Sequence, residues 1–547
     1  MNKCLALKIE KVLSSSNHEW QYCFLERGGD RGEVYLSPKE ILALSKEFAY
    51  SLIQYIPANS KLILLLEHGP NFLITLIACI FAGITVIPTT ISRFGLNSLR
   101  LGKIIKICDG SFILTHDNKI ESIKSLFKSD DLFNINNVLT IESLSNTTKV
   151  NKSLKLPGFE ISQNQPVIIQ FTSGTTSEPK GVLISSENIL ANYYKVASKW
   201  NFRKEKTLLT WLPHFHDMGL FGGLFYPLLS GQKIVQMDPL HFIQKPQRWL
   251  YAISKFKVNF TGGPAFSFEL CNELDIEKFN NKLDLSSLEV AFCGADYVPS
   301  KTLNSFRKIF SQFHLNPLSV TPVYGLAEAT LFVSGEPNFR FSKPQIYKGN
   351  YTEGCYLGEE KNLEIKIVDL YNDNVLSNGE IGEIIISGNS ITQGYYEKES
   401  FYPSKRFRTG DLGFISNNHL FITGRKKDII VKNGKNISPS ELEQIAARNS
   451  DLLNAHSAAA IQIEGSIDGD IILFIEVREK EKYKLNNKEE LIKNINQDIQ
   501  KNFGVTLSKI FFLKRGELMK TSSGKIQRKI VANNYQKGYK FKEYECR

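Results

Sequence analysis

Residues 171–182 read FTSGTTSEPKGV and lie between an apolar stretch, PVIIQF, and a helical pattern, SSENILANYYKVASKW. Small hydroxyl residues and Gly174 let backbone N–H groups close around phosphate oxygens, and Lys180 adds a positive charge. A Walker loop ends in Gly-Lys-Ser/Thr, whereas this segment ends in Pro179-Lys180-Gly181. The segment therefore predicts a phosphate-binding loop between a strand and a helix, the alternative being a flexible surface loop.

Strand-like and helix-like patterns alternate on both sides of this loop. KLILLLE precedes NFLITLIACIFAG, KVNFTGG precedes FSFELCNEL, and LEVAFCG precedes SKTLNSFRKIF. Short, apolar, β-branched strands that alternate with helices are typical of mostly parallel sheets covered by helices. The predicted fold class is α/β, with a large N-terminal domain of layered, mostly parallel sheets and helices.

The pattern changes after about residue 360, where NLEIKIVDL, NGEIGEIIISG and HLFITGR predict short strands joined by Asn-Gly or Asn-Asn turns. We expect them to form a small β-rich subdomain. Beyond Arg425 a helix, strand, helix, strand order follows, in SPSELEQIAARNS, DIILFIEVRE, NKEELIKNINQDIQKNF and KIFFLK. The predicted domains are therefore residues 1–425 and a small, mobile α+β C-terminal domain of residues 426–547, hinged near Arg425 to Asp428.

Composition and cysteine usage limit the class of protein. The chain has 547 residues, 42% of them hydrophobic, which is enough for more than one buried core. The eight cysteines include no C-x-x-C pair, so the sequence predicts neither a zinc site nor a disulfide framework. Scattered single thiols of this kind are typical of the reducing cytoplasm, where we expect the protein to act.

Two further patterns bear on membranes and nucleic acids. Residues 72–88, FLITLIACIFAGITVIP, are slightly short for a membrane span, so they predict a buried helix followed by a buried strand. The N-terminus lacks the uninterrupted apolar run of a secretory signal. The net charge is +11, but the lysines are spread along the chain, so we expect anionic partners such as ATP or an acidic protein and no nucleic acid.

Four more motifs follow the phosphate-binding loop in the order YGLAE (324–328), RTGD (408–411), GRKKD (424–428) and TSSGK (521–525). In this order the chain resembles the adenylate-forming superfamily of acyl-CoA synthetases, firefly luciferase and peptide-synthetase adenylation domains. Residues 211–226, WLPHFHDMGLFGGLFY, are similar to those of the fatty acyl-AMP ligases. The resemblance implies that a long-chain fatty acid is activated with ATP and Mg²⁺ as acyl-AMP, with release of pyrophosphate. The acyl group then passes to the phosphopantetheine thiol of an acyl carrier protein supplied in trans.

The resemblance also implies roles for individual residues. Lys525 would bridge the incoming carboxylate and the α-phosphate, and Glu328 would bind the metal ion. Asp411 would accept hydrogen bonds from the ribose hydroxyls, with Arg425 donating to ribose or phosphate. The implied ATP and AMP site comprises Thr172, Ser173, Gly174, Thr175, Thr176, Lys180, Gly294, Ala295, Asp296, Tyr324, Gly325, Asp411 and Arg425.

His216 completes the implied catalytic set, and we expect it to contact the acyl-adenylate rather than act as a general base. The alternative is a histidine buried in the core for structural reasons. The implied acyl pocket comprises His216, Asp217, Met218, Gly219, Gly262, Gly263 and Pro264. Lys427 occupies the hinge position about which the small domain would turn.

Two segments depart from the ligase pattern and concern the acyl acceptor. The insertion expected between Glu328 and Asp369 is short, and residues 431–441, VKNGKNISPSE, look more like an acyl-CoA synthetase. The first alternative is therefore a fatty acyl-CoA synthetase that uses CoA. The second, from another class, is a non-catalytic protein that binds an adenylate or docks a carrier.

Overall fold

The computed structural model describes residues 4–90, 96–108, 110–126, 137–145, 154–172, 179–279, 282–295, 298–337, 345–347, 350–357, 363–396, 406–432, 435–463, 469–478, 487–521 and 524–544. The helices within these ranges are α1 (Leu5–Ser15), α2 (Pro38–Tyr55), α3 (Pro70–Ala82), α4 (Leu96–Ile107), α5 (Ile120–Leu126), α6 (Ile141–Ser145), α7 (Ser186–Lys199), α8 (Tyr226–Ser230), α9 (Pro239–Gln244), α10 (Gln247–Phe256), α11 (Ala265–Asn272), α12 (Ser300–Phe310), α13 (Pro439–Arg448), α14 (Lys488–Phe503) and α15 (Arg528–Gln536). A π-helix spans Met218–Phe225.

The strands in the same ranges are β1 (Tyr22–Glu26), β2 (Gly32–Leu36), β3 (Lys61–Leu64), β4 (Thr85–Pro88), β5 (Phe112–Thr115), β6 (Val138–Thr140), β7 (Pro166–Thr172), β8 (Lys180–Ser185), β9 (Thr207–Thr210), β10 (Lys233–Met237), β11 (Phe260–Gly263), β12 (Val290–Cys293), β13 (Val320–Pro322), β14 (Tyr324–Gly325), β15 (Phe332–Ser334), β16 (Gln345–Tyr347), β17 (Asn350–Thr352), β18 (Cys355–Tyr356), β19 (Leu363–Val368), β20 (Gly382–Gly388), β21 (Arg406–Ser416), β22 (His419–Arg425), β23 (Ile430–Lys432), β24 (Lys435–Ile437), β25 (Leu453–Gln462), β26 (Ile471–Val477) and β27 (Lys509–Leu513).

Two layered sheets form the large N-terminal domain. In the described residues the first has the order β6-β5-β3-β4-β7-β8, and the second β13-β12-β11-β9-β10-β1-β2. Each is parallel except for one antiparallel edge pair, β7–β8 in the first and β1–β2 in the second. The α/β fold class with mostly parallel sheets is therefore confirmed.

The apolar stretch of residues 72–88, slightly short for a membrane span, is buried as α3 and β4. Gly83 ends α3 with φ +70°, and a Cβ there would lie 2.7 Å from Cδ1 of Ile161. A residue with a left-handed backbone conformation and a neighbouring atom this close has to be glycine. Gly83 thus allows the chain to turn from the helix into the strand. Among the described residues, no helix is both long and apolar enough to cross a membrane.

A smaller antiparallel sheet of order β18-β22-β21-β20-β19 follows, as the alternating patterns predicted. Asn417 and Asn418 join β21 to β22 with φ values of 49° and 58°. Two consecutive left-handed residues are the signature of a tight type I′ hairpin, which the Asn-Asn pair supports.

The C-terminal domain has its own sheet, β25-β26-β27, with α13, α14 and α15. Its buried apolar residues, from Ile430 to Val531, form clusters separate from those of the large domain. Strand β22 ends at Arg425, and a short turn at Lys426–Asp428 connects it to β23. The boundary between residues 425 and 426 stays a prediction.

Candidate active site

A cavity of about 550 Å³ lies between the large domain and the loop that carries Lys525. It opens beyond the carboxyl ends of parallel strands β9, β11 and β12, because Trp211, Pro264 and Ala295 follow those strands and line it. Parallel sheets bind ligands at that edge because the loops there converge. The tertiary structure thus brings together segments that are hundreds of residues apart in sequence.

Most of the residues predicted from the sequence line this cavity. They are Thr172, Lys180, His216, Asp217, Met218, Gly219, Pro264, Ala295, Tyr324, Gly325, Glu328, Asp411, Arg425, Lys427 and Lys525. The predicted residues Ser173, Gly174, Thr175, Thr176 and Asp296 lie outside the described residues. Co-location of the others does not test their individual roles, which stay predictions.

Gly262, Gly263 and Gly294 do not line the cavity but allow its walls to approach each other. A Cβ on Gly262 would lie 2.1 Å from the carbonyl oxygen of Phe292, and one on Gly263 would lie 2.5 Å from Cζ2 of Trp211. At Gly294 a Cβ would lie 2.5 Å from Cγ2 of Val323. The absence of a side chain at these glycines therefore lets the segments behind the cavity lining pack closely against each other.

Asp411 lies at the centre of a hydrogen-bonded group at one end of the cavity. The Tyr324 hydroxyl donates to its Oδ2 over 2.7 Å, and Nε of Arg425 lies 2.9 Å from its Oδ1. Burial raises the pKa of Tyr324 well above its usual value, and the Asp411 charge acts in the same direction. Each carboxylate oxygen has a second lone pair, so Asp411 can still accept hydrogen bonds from a ligand.

Glu328 and Lys180 face the cavity and share a neighbour, Tyr395. The Tyr395 hydroxyl donates to Oε1 of Glu328 over 2.7 Å. Nζ of Lys180 lies 5.3 Å from the centre of the Tyr395 ring. The hydroxyl of Tyr395 thus contacts an acidic side chain, and its ring lies near a basic one.

His216 and Asp217 follow β9 and lie beside Lys525. Burial lowers the pKa of His216 to about 3, and the charges of Arg100 and Lys525 act in the same direction. Burial raises the pKa of Asp217, whereas Lys525 opposes that shift. A histidine with so low a pKa is neutral near pH 7 and a poor proton acceptor, in keeping with the predicted contact role.

Asp217 also fixes the start of the π-helix Met218–Phe225, because its Oδ1 accepts from the backbone N–H of Met218 over 2.7 Å. A Cβ on Gly219 would lie 2.2 Å from the carbonyl oxygen of Pro213. The chain folds back on itself so closely that only glycine fits. π-Helices often occur at functional sites, and this one forms a wall of the cavity.

Lys525 sits on a tight turn of the C-terminal domain. The Thr521 N–H donates to the Lys525 carbonyl over 2.8 Å, and the Lys525 N–H donates to Oγ1 of Thr521 over 3.1 Å. Gly524 has φ +85°, and a Cβ there would lie 3.0 Å from Cε1 of Phe266 in the large domain. The turn therefore packs against the large domain and presents Lys525 to the cavity.

Comparison with known proteins places the chain in a family. Residues 23–396 match the model of the AMP-binding enzymes, which is more than half of the chain. The chain belongs to the AMP-binding enzyme family. It is an ATP-dependent, AMP-forming ligase.

Relatives of this AMP-binding enzyme match over nearly their full length. It is 29% identical to the medium-chain-fatty-acid–[acyl-carrier-protein] ligase JamA of Moorena producens, covering 94% of this chain and 92% of that protein. It is 28% identical to the corresponding ligase TtuA of Teredinibacter turnerae, covering 93% and 90%. A solved structure from work on fatty acyl-adenylate ligases of E. coli and L. pneumophila shares 25% identity, with a TM-score of 0.83 and 98% of each chain covered.

The AMP-binding enzyme has cavity residues that the sequence motifs did not reveal. One is Tyr395, in a segment whose letters GYY carry no charge or metal-binding signal. An apolar wall of the cavity includes Trp211, Tyr226, Phe266, Phe292 and Leu331, from segments similar to the fatty acyl-AMP ligases, and Val196, Trp200, Phe202, Leu208 and Phe332, which lie outside those segments. Such residues resemble ordinary core residues in a sequence, so only their position around an open space distinguishes them.

Lys427 lies in the turn between the domains and lines the cavity. Burial lowers its pKa, and the nearby Arg425 acts in the same direction. The predicted hinge role of Lys427 is not tested by one arrangement of the domains.

Proposed function

We propose that the protein activates a fatty acid with ATP as an acyl-adenylate and transfers the acyl group to the phosphopantetheine thiol of an acyl carrier protein. The observation that carries this proposal is the continuity of one cavity. Lys180, Glu328, Asp411 and Lys525 line the same cavity as the apolar wall. A carboxylate with a long apolar tail and a nucleotide would meet in that cavity.

The charges of the site fit attack of a carboxylate on the α-phosphorus. Two anions have to approach each other, and a lysine at the meeting point lowers that barrier most as charge develops. Lys525 would provide this contact, while Lys180 neutralises charge on the leaving pyrophosphate. Neutral His216 would lie against the acyl group without adding charge.

A magnesium ion fits the donor set. Among the described residues, no group of three or more His, Cys, Asp and Glu side chains could hold a metal ion. Mg²⁺ is commonly bound through one or two carboxylates together with substrate phosphates, so a single carboxylate beside the phosphate site is sufficient. Glu328 would hold the ion, which offsets phosphate charge when bound.

The apolar wall supports a fatty acid as the substrate class. Burying methylene groups against such side chains contributes about 0.8 kcal/mol per group, which favours long alkyl chains over small acids. The names of JamA and TtuA specify medium-chain fatty acids, so we propose a medium-chain substrate in place of the long chain first expected. Adenylation rates across saturated acids of increasing length would determine the preference.

Three observations support a carrier protein over CoA as acceptor. JamA and TtuA are named as carrier-protein ligases. The short insertion still forms the hairpin β16–β17, and β17 contacts α13 of the C-terminal domain, as an element restraining that domain would. The C-terminal domain also exposes basic side chains that suit an acidic carrier: Lys514, Arg515, Lys529, Lys537 and Lys540.

The acceptor test compares carrier and CoA at equal concentration. We expect pyrophosphate release with ATP and fatty acid alone, efficient acyl transfer to a phosphopantetheinylated carrier, and poor transfer to CoA. The apo-carrier, which lacks the thiol, is the control. Transfer to the carrier should weaken as salt rises, because exposed charge pairs are screened. Equal transfer to CoA would favour the acyl-CoA synthetase alternative.

The same assay addresses the non-catalytic alternative, which predicts nucleotide binding without pyrophosphate release. We propose that the reaction takes place in the cytoplasm, as the scattered cysteines predicted. Activity in the soluble fraction of gently lysed cells would test this placement.

A further inference from the structure

A segment between β20 and β21, residues 390–396, connects the phosphate-binding strand β8 to the turn that carries Glu328. The Thr392 N–H donates to the Glu328 carbonyl over 2.8 Å, and Oγ1 of Thr330 donates to the Ser390 carbonyl over 2.8 Å. On the other side, the Tyr396 N–H donates to the Gly181 carbonyl over 2.7 Å. The segment is therefore fixed by backbone bonds to both elements.

Tyr395 is the residue of this segment that faces the cavity. Its hydroxyl donates to Oε1 of Glu328 over 2.7 Å, and the Lys180 ammonium lies 5.3 Å from its ring centre. A hydrogen bond from a phenol restricts rotation of the carboxylate, and an aromatic face attracts a cation. One side chain thus restrains both charged groups that face the nucleotide phosphates.

We propose that Tyr395 is a positioning residue that holds Glu328 and Lys180 in a fixed relation to the triphosphate and its divalent cation. This inference rests on the proposed function, because it takes Glu328 as the carboxylate that meets the cation. Residues that hydrogen-bond to a metal-binding carboxylate orient it, and their removal typically weakens metal affinity about 10- to 100-fold.

The adjacent tyrosine provides a matched control. The Tyr396 hydroxyl accepts from Nζ of Lys61 over 2.6 Å, and that Nζ lies 4.9 Å from the Tyr396 ring centre. Tyr396 therefore also has a hydrogen-bonded hydroxyl and a lysine near its ring, but both contacts are with Lys61 of β3 and neither involves Glu328. Removing its hydroxyl should leave the carboxylate at Glu328 unaffected.

The experiment measures ATP binding by calorimetry while Mg²⁺ is titrated, without fatty acid or acceptor. For Tyr395→Phe we expect the Mg²⁺ concentration needed for tight ATP binding to rise about tenfold. ATP binding in EDTA should change less than twofold, because the ring beside Lys180 remains. Tyr396→Phe should behave as wild type. In a Glu328→Gln background, Tyr395→Phe should add no further effect, because the partner of its hydroxyl is already altered.

An unchanged Mg²⁺ requirement in Tyr395→Phe would overturn the inference. So would an equal rise in Tyr396→Phe, or an equal rise in the Glu328→Gln background, because either result would indicate a general loss of structure. Because no fatty acid is present, these outcomes are independent of acyl-adenylate formation. The proposed function fails separately, if fatty acid and ATP release no pyrophosphate.

Discussion

The large domain and the C-terminal domain contribute to one cavity by different physical means. Large-domain residues at the site lie in or after strands whose apolar side chains are buried in the clusters of that domain. The C-terminal contribution consists of Lys427 in the connecting turn and of the turn with Thr521 and Lys525, and the two domains have separate apolar clusters in the described residues. Polar contacts between two domains that share no apolar core can be replaced by other contacts at a small cost in free energy. This arrangement therefore suits a domain that moves.

Ion pairs between the two domains are examples of such polar contacts. Arg478, after β26, contacts Glu269 of α11 and lies 3.3 Å from Oε1 of Glu273. Nε2 of His456 lies 3.8 Å from Oε2 of Glu269. Substrate binding should therefore depend on the large domain, whereas the rate of adenylation should depend on contacts that place the C-terminal domain.

The largest expected effect comes from Lys525→Ala. Loss of a charge that acts mainly in the transition state should reduce the adenylation rate about 100- to 1,000-fold, with ATP affinity changed little. Fatty-acid-dependent pyrophosphate release and ATP calorimetry would measure the two quantities. Lys529→Ala, which removes an exposed lysine of α15, is the matched control. A variant that keeps most of its rate would contradict the division between the two domains.

The next effect is expected from Asp411→Ala, on the large-domain side. Hydrogen bonds from a carboxylate to ribose exist before and during the reaction, so nucleotide affinity should fall roughly 10- to 100-fold. Fluorescent ATP displacement would measure it, and thermal unfolding would report the loss of the Tyr324 and Arg425 contacts. Asp275→Ala removes an exposed carboxylate paired with Lys278, away from the cavity, and serves as control. Unchanged affinity would show that Asp411 acts only within the protein.

The smallest effect concerns the ion pairs between the domains. Arg478→Glu should slow adenylation roughly threefold, since partly exposed ion pairs contribute about 0.2–1 kcal/mol. Acyl transfer from preformed acyl-AMP should be unaffected. The swap of Arg478→Glu with Glu269→Arg should restore the rate. Lys257→Ala, which breaks an exposed pair with Asp284 inside the large domain, is the control. If adenylation and acyl transfer slow equally, the contact of Arg478 with Glu269 supports folding rather than domain placement.

The amino-acid sequence alone predicts the α/β class, the β-rich subdomain and most polar residues that line the cavity. It could do so because strands, turns and charged motifs depend on local patterns, as the Asn417-Asn418 turn illustrates. Loop chemistry such as Lys525 after Thr521-Ser522-Ser523-Gly524 is equally local, so the resemblance located it without any structure.

The full set of apolar residues around the cavity, and the partners of its charged residues, become visible only in the folded chain. Trp200, Phe202 and Phe332 resemble core residues in sequence, because hydrophobicity does not indicate whether a side chain faces a neighbour or a space. Gly262 and Gly263, predicted for the acyl pocket, and Gly294, predicted for the nucleotide site, are packed so closely that a Cβ would lie 2.1–2.5 Å from a neighbouring atom. The contact of Tyr395 with Glu328, 67 residues away along the chain, arises only when the fold brings the two segments together.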